Sequence, residues 1–195
     1  MPSTPLIKAR FLVVDLEMTG LDPSTHEIIE VAAVPVTGTE IGSGFSFYSE
    51  IRPERNIPAE TKAVHGLHGR ELSNAPSLQE VLPELFKNFY NRIIVGHNAH
   101  IDLDFLMVKA RVAGLMPPKR PIVDTIDMAL TLFPEQEKPS LDKLLAQYKL
   151  ARKHNIHNAI EDALLTARVF VMMLNELRSS GKASTVVDLL RIGKE

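Results

Sequence analysis

Apolar positions fall first in short runs and later at helical spacing. Phe11-Leu-Val-Val14 is a four-residue apolar run, β-branched in its second half, and reads as a short buried strand. The turn residues Asp22-Pro23-Ser24-Thr25 separate it from a second strand, Glu27–Val36. Gly38, Gly42 and Gly44 punctuate the approach to a third, Phe45–Ile51, in which Phe45, Phe47, Ser49 and Ile51 share one face. Three strands joined by short turns predict an antiparallel meander.

Helical patterns then take over. Pro58 suits the first turn of a short helix to about Val64, closed by His65-Gly66. Ser77-Leu-Gln-Glu80 is a capping box, and Val81, Leu82, Leu85, Phe86 and Phe89 form an apolar stripe behind it. Pro83 argues for a start nearer itself or for a kink. The continuous run Arg92-Ile-Ile-Val-Gly96 predicts a central strand covered on both faces. Further helices follow at Ile101–Ala113, closed by Gly114; at Asp124–Phe133, after a short strand Ile122-Val123; and at Leu141–Tyr148, capped by Ser140. A long helix runs from Asn158 to Arg178 with Ile160, Leu164, Ala167, Val171 and Leu174 as its packing stripe, and a last one spans Ala183–Arg191. The alternation predicts an α/β fold, a central mixed sheet of about five strands flanked by helices. With no repeat, low-complexity tract or linker, residues 1–195 read as one domain with its motif-bearing core at about 8–178.

Composition adds little beyond exclusions. Hydrophobic residues make up 45% and charged residues 24%, as in an ordinary globular domain. The absence of Cys excludes disulfides, a thiolate nucleophile and Cys-ligated zinc. No apolar run is long enough to span a bilayer and Met1-Pro2-Ser3-Thr4-Pro5 is no signal peptide, so a cytoplasmic protein with no membrane partner is expected. The net charge of −2 argues mildly against a nucleic-acid partner, but acids gathered around cations leave the remaining surface more basic than the sum.

The chemistry is in three places. Asp15 and Glu17 stand one residue apart at the end of the first strand, so their carboxylates project to one face. Like charges that close repel, and a divalent cation such as Mg²⁺ or Mn²⁺ relieves both at once. Thr19-Gly20 follows as a turn in which Gly20 is free to take a positive φ. Asp102 begins the helix after the central strand, where, taken alone, a helix-dipole role is the preferred reading over a ligand. His157 precedes the long helix with Asp162 one turn in; His97 and Asp102 have the same five-residue separation, so spacing does not choose between the two histidines.

Taken together, these segments resemble a known family, the DnaQ-like (DEDDh) 3′–5′ exonucleases of the ribonuclease H-like superfamily, and in particular the DNA polymerase III epsilon-type exonuclease domain. Asp15-x-Glu17 with Thr19-Gly20-Leu21 looks like the first motif, Asn98-x-x-x-Asp102 the second and His157-x-x-x-x-Asp162 the third. Ile57-Pro58, Val64-His65-Gly66, Ala75-Pro76 and Val123-Asp124-Thr125 are similar to its signposts. Met18, where many members have Thr, and Ile101, where many have an aromatic residue, depart from the pattern, and Leu-Glu-Met-Thr-Gly-Leu is similar to the oligoribonuclease branch.

The resemblance implies two divalent cations held by Asp15, Glu17, Asp102 and Asp162, with His157 as general base. It places Met18, Thr19, Gly20 and Leu21 beside the terminal nucleotide, with His65 and Asn98 nearby. The implied activity is trimming of single-stranded or frayed DNA from its 3′ end, with a polymerase or another replication or repair protein as a possible partner. The alternatives are an RNA-preferring enzyme of the same fold and a non-catalytic nucleic-acid-binding accessory module. With only about twenty residues beyond the long helix, a free-standing enzyme is the simpler expectation, and oligomeric state is left open. Three Tyr, eight Phe and no Trp predict a short terminal pocket rather than a long stacking track.

Overall fold

The computed structural model describes residues 3–43, 46–55, 71–154 and 157–194. The helix expected near Pro58–Val64, and His65 with it, lies outside the described residues. Strand β1 (Arg10–Met18) runs antiparallel to β2 (Ile28–Thr37) and parallel to β5 (Ile93–Gly96), which is parallel to β6 (Ile122–Asp124). The two-residue β3 (Glu40–Ile41) and β4 (Phe47–Glu50) both pair antiparallel with β2. The mixed sheet thus has six described strands, one more than the pattern predicts, because a two-residue strand has no periodicity to read.

Helix α1 (Leu78–Asn88) starts at the Ser77 capping box and not near Pro83. Ser77 and Glu80 satisfy the first amides, so Pro83 in the second turn removes a single internal hydrogen bond without displacing the start. Helices α2 (Ala99–Val112), α3 (Thr125–Leu132), α4 (Leu141–Gln147), α5 (Ala159–Ser179) and α6 (Val186–Arg191) follow. No described helix is long and apolar enough to cross a membrane.

Strand alternation divides the core into two layers. Phe11 and Val13 of β1, with Ile93, Val95 and Val123, pack against α3, α4, α5 and α6. Leu12, Val14 and Leu16 project to the other face with Ile94, against Leu82 and Leu85 of α1 and Phe105, Leu106 and Ala110 of α2. The α5 contact face differs from the expected stripe. It is centred on Ala163, Ala167, Phe170 and Leu174, while Ile160, Leu164 and Val171 are only half-buried at its flanks. Small residues bring the helix axis close to β1 and β2, and alanines carry a weak hydrophobic signal. Phe170 meets Phe11 edge-on with ring centroids 4.9 Å apart.

Truncation of Phe170 to Ala removes that seam and is expected to cost about 3–5 kcal/mol in urea denaturation. The outward Met172→Ala change is expected to stay within about 0.5 kcal/mol. Equal small effects would contradict this packing.

Candidate active site

Period-two alternation puts Asp15 and Glu17 on the same face of β1 as Phe11 and Val13, the face that α5 covers. Both lie inside the strand, which extends to Met18, rather than past its end. Glu17 stands opposite Glu30 of β2. Glu30 is buried, accepts a hydrogen bond from the Ala159 amide (3.2 Å) and takes another from the Tyr48 hydroxyl. An acid buried in an apolar strand thereby fastens the first residue of α5 to the sheet beside the acid pair.

That attachment sets Asp162, in the first turn of α5, over Glu17. Asp162 is buried; its Oδ2 meets His157 Nδ1 at 2.9 Å and its Oδ1 is ion-paired with the Arg152 guanidinium. Arg152 also donates from Nε to Asp142 (2.7 Å). Glu17, His157 and Asp162 each offer a ligating atom, and those atoms lie within 4.8 Å of one another. Asp102 enters from the first turn of α2, which Asp124 holds in place. The Asp124 carboxylate accepts from the amides of Asn98 (3.0 Å), Ala99 (2.8 Å) and Ile126 (2.9 Å), clamping the β5–α2 junction to the start of α3.

The electrostatics of the cluster follow from burial and mutual repulsion. Burial, then Asp102, Glu17 and Glu30, push the Asp15 carboxyl well above the ordinary carboxylate range, with Arg152 pulling the other way. Burial, then Glu30 and Asp102, raise Glu17 to about 8. Burial raises Asp102 to about 8 against a lowering hydrogen bond from the Leu16 backbone. A buried set of hard carboxylate oxygens beside one imidazole, repelling each other with a guanidinium as opposing charge, has the donor chemistry of a Mg²⁺ or Mn²⁺ site. A cleft of about 470 Å³ opens beside it, lined by Asp15, Asn98, Lys138, Arg152, His157 and Asp162 among others.

The two histidines separate clearly. His97 is bonded through Nδ1 to the Thr125 hydroxyl (2.9 Å), and burial lowers its pKa; its role is to brace the β5–α3 junction. Both line the cleft, but His157 is half exposed and stands beside Asp162 and Glu17. Asn98 adopts a left-handed conformation (φ 61°) and its amide oxygen accepts from Lys138 Nζ at 2.9 Å. Met18, Thr19, Gly20 and Leu21 follow the acids on the chain. Thr19 is buried and closes the β1–β2 connection by bonding the Glu27 amide, while Leu21 is 76% exposed. Gly20 does not take the positive φ expected of it. A Cβ there would stand 2.3 Å from the His26 ring, so a larger residue must displace that ring.

Comparison with known proteins extends this geometry. The family model RNase_T, described as Exonuclease, matches residues 12–170, and the chain belongs to that family. Among curated relatives, the PolC-type DNA polymerase III of Thermotoga maritima is 34% identical over 173 residues, covering 89% of this chain and 12% of the relative. The DNA polymerase III subunit epsilon of Aquifex aeolicus is 33% identical over 172 residues, covering 88% of this chain and 84% of that subunit. The chain therefore spans about an eighth of the PolC-type polymerase. A solved nuclease domain of 3′hExo, a DEDDh family member bound to rAMP, superposes with a TM-score of 0.72 at 20% identity, covering 87% of this chain and 93% of that one. The fold is ribonuclease H-like.

Glu30, Arg152 and Asp124 were not singled out as site residues from the sequence. Glu30 leaves the one usable signal, an acid inside the apolar run Ile28–Val34. Arg152 sits in a basic loop stretch, and its partners appear only in three dimensions.

The raised carboxyls fix a pH dependence. In the unfolded chain Glu17 and Asp102 release their protons near pH 4, and in the folded chain near 8, so the folded state binds more protons and loses stability as pH rises between about 5 and 8. Urea midpoints in EDTA are expected to fall across that window, and saturating Mn²⁺ to remove most of the fall. A flat profile in EDTA contradicts the burial of these acids.

Proposed function

We propose that the chain is a metal-dependent 3′–5′ exonuclease. It removes nucleoside monophosphates from the 3′ end of single-stranded or frayed DNA, with Asp15, Glu17, Asp102 and Asp162 as ligands of two divalent cations and His157 as general base. The observation that carries the reading is that Asp15 of β1 and Asp162 of α5 line one cleft with the half-exposed His157, that Glu17 offers a ligating atom beside His157 and Asp162, and that Asp102 of α2 acts on Asp15 and Glu17 through its charge, in a chain that the exonuclease family model matches over residues 12–170. Two bound Mg²⁺ or Mn²⁺ ions would stabilise charge on the attacking and leaving oxygens. His157 takes the proton from the attacking water, and its Nδ1 contact with Asp162 orients the ring for that work. The water oxygen bonds to phosphorus, the bond from phosphorus to the 3′ oxygen of the penultimate nucleotide breaks, and that oxygen is protonated as it leaves.

Access requires an unpaired terminus, because the acids lie buried at the sheet end. Met18, Thr19, Gly20, Leu21 and Asn98, with His65 outside the described residues, form the proposed surroundings of the terminal nucleotide. DNA is favoured over RNA by the two DNA polymerase relatives, which also make a replicative polymerase the protein partner to test first. The cytoplasm is the proposed compartment, and residues 1–195 the proposed single exonuclease domain. Met18 and the Leu16–Leu21 wording support the RNA-preferring alternative.

The test is a time course on single-stranded, duplex and mismatched DNA and on short RNA, with and without Mn²⁺. Mononucleotides are expected from single-stranded and mismatched DNA faster than from matched duplex, and none without the cation. Faster release from RNA would reassign the substrate, and no mononucleotide from any of them would leave only the binding-module reading. His157→Ala is expected to cut kcat by about 10²–10⁴-fold while Tm and Mn²⁺ affinity stay near the parent's; turnover close to the parent's would remove the base role.

A further inference from the structure

The end of the sheet remote from the acids carries a second charged feature. Arg10 is the first residue of β1, Arg92 directly precedes β5, and Arg120 stands two residues before β6. Phe11 pairs with Ile93 and Ile94 with Ile122 in parallel register, so the three arginines occupy matching positions on three adjacent strands. Neighbouring strands lie about 4.8 Å apart. The alternation that sends Leu12 to the α1–α2 layer sends Arg10 to that same side.

Burial, and after it the charge of nearby Arg10, make Arg92 a weaker base. None of the ion pairs among the described residues includes Arg10, Arg92 or Arg120. Glu84 on nearby α1 is engaged by Lys87. Arg92 Nη1 and Arg120 Nε are buried without a hydrogen-bond partner among the described residues. Clustered guanidinium groups without counter-charges repel one another, and planar N–H forks suit phosphate oxygens. Tyr90, 76% exposed, lies under Arg120 with the guanidinium carbon 5.8 Å from the ring centroid. An exposed ring beside cations offers a face on which a base stacks regardless of sequence.

We propose that Arg10, Arg92 and Arg120 with Tyr90 form a second contact for single-stranded nucleic acid, binding the phosphodiester backbone of the strand away from its 3′ end. This deepens the nuclease reading and rests on it for the identity of the polyanion. Five residues of β1 separate Arg10 from Asp15, about 17 Å along the strand. A dinucleotide held at the acids therefore does not reach the row; a longer strand would reach it by passing round the sheet, from the face that α5 covers to the face of Arg10. The row would hold the substrate between successive cleavages and give affinity that depends on length and salt.

The test uses the full chain in EDTA, where no hydrolysis occurs, with a fluorescein-labelled 16-mer oligothymidylate read by anisotropy. The double variant Arg10→Gln/Arg120→Gln, and separately Tyr90→Ala, are compared with the parent. The double variant is expected to bind the 16-mer about tenfold more weakly at low salt and to flatten the slope of log K against log salt by about 1.4, at about 0.7 per phosphate contact. Tyr90→Ala is expected to weaken binding with the slope unchanged, and hydrolysis of a dinucleotide with Mn²⁺ to match the parent in both variants. Unchanged affinity and slope overturn the proposal, as does an equal loss on the dinucleotide. Inorganic pyrophosphate that loses affinity in the double variant while the oligonucleotide slope stays fixed overturns it in favour of a small-anion site. A parent that releases no mononucleotide from the 16-mer with Mn²⁺ rejects the nuclease reading, and the anisotropy slope still decides the row.

Discussion

Carboxylates crowded together at a largely buried sheet end cannot all stay ionised unless something positive stands among them. Asp15, Glu17 and Asp102 are held at an apolar sheet end, where burial and mutual repulsion favour their protonated forms. Arg152 supplies part of the opposing charge through its ion pair with Asp162 and its field at Asp15 and Glu17. A divalent cation at the same place and Arg152 would draw on the same carboxylate oxygens. On the proposed reading, an affinity for cations would come from the fold and not from the local sequence.

The scaffold around the cluster is built to keep the acids from moving apart. Glu30 fastens the start of α5 to β2, and Asp124 fastens the start of α2 to α3. Each anchor is itself an acid accepting backbone amides at a helix start, which satisfies donors that would otherwise be unpaired. The alanines of α5 bring that helix close to β1, so Asp162 comes over Glu17 without a long side chain. The two core layers then fix the height of each helix on the sheet, and Phe170 against Phe11 sets the depth of α5.

Much of this was legible in the residues because the signals were local. The apolar run before Asp15, the Ser77 and Ser140 caps and the strand at Ile93–Gly96 all fall where the pattern predicts. The acids and His157 were visible as residue types at strand and helix ends, and the resemblance joined them. What was not legible depends on distance in space. The face of α5 holds Ala167 and Leu174 as the pattern predicts, but is misread where Ile160, Leu164 and Val171 are weighted above Ala163 and Phe170. At Gly20 the crowding comes from the His26 ring, and its φ is not positive. His97 and His157 share a spacing to an acid, and only the Thr125 hydrogen bond tells which one is braced. Arg152 and Glu30 acquire their meaning from partners 10 and 129 residues away.

The claim on which the account stands is that cations replace protons on this carboxylate set. Calorimetric titration of Mn²⁺ into the chain at pH 7, repeated in buffers of different ionisation enthalpy, measures that exchange directly. Binding with release of at least about one proton per chain is the outcome the account requires, because Glu17 and Asp102 are raised to about 8. Absence of Mn²⁺ binding, or binding without proton release, would contradict it.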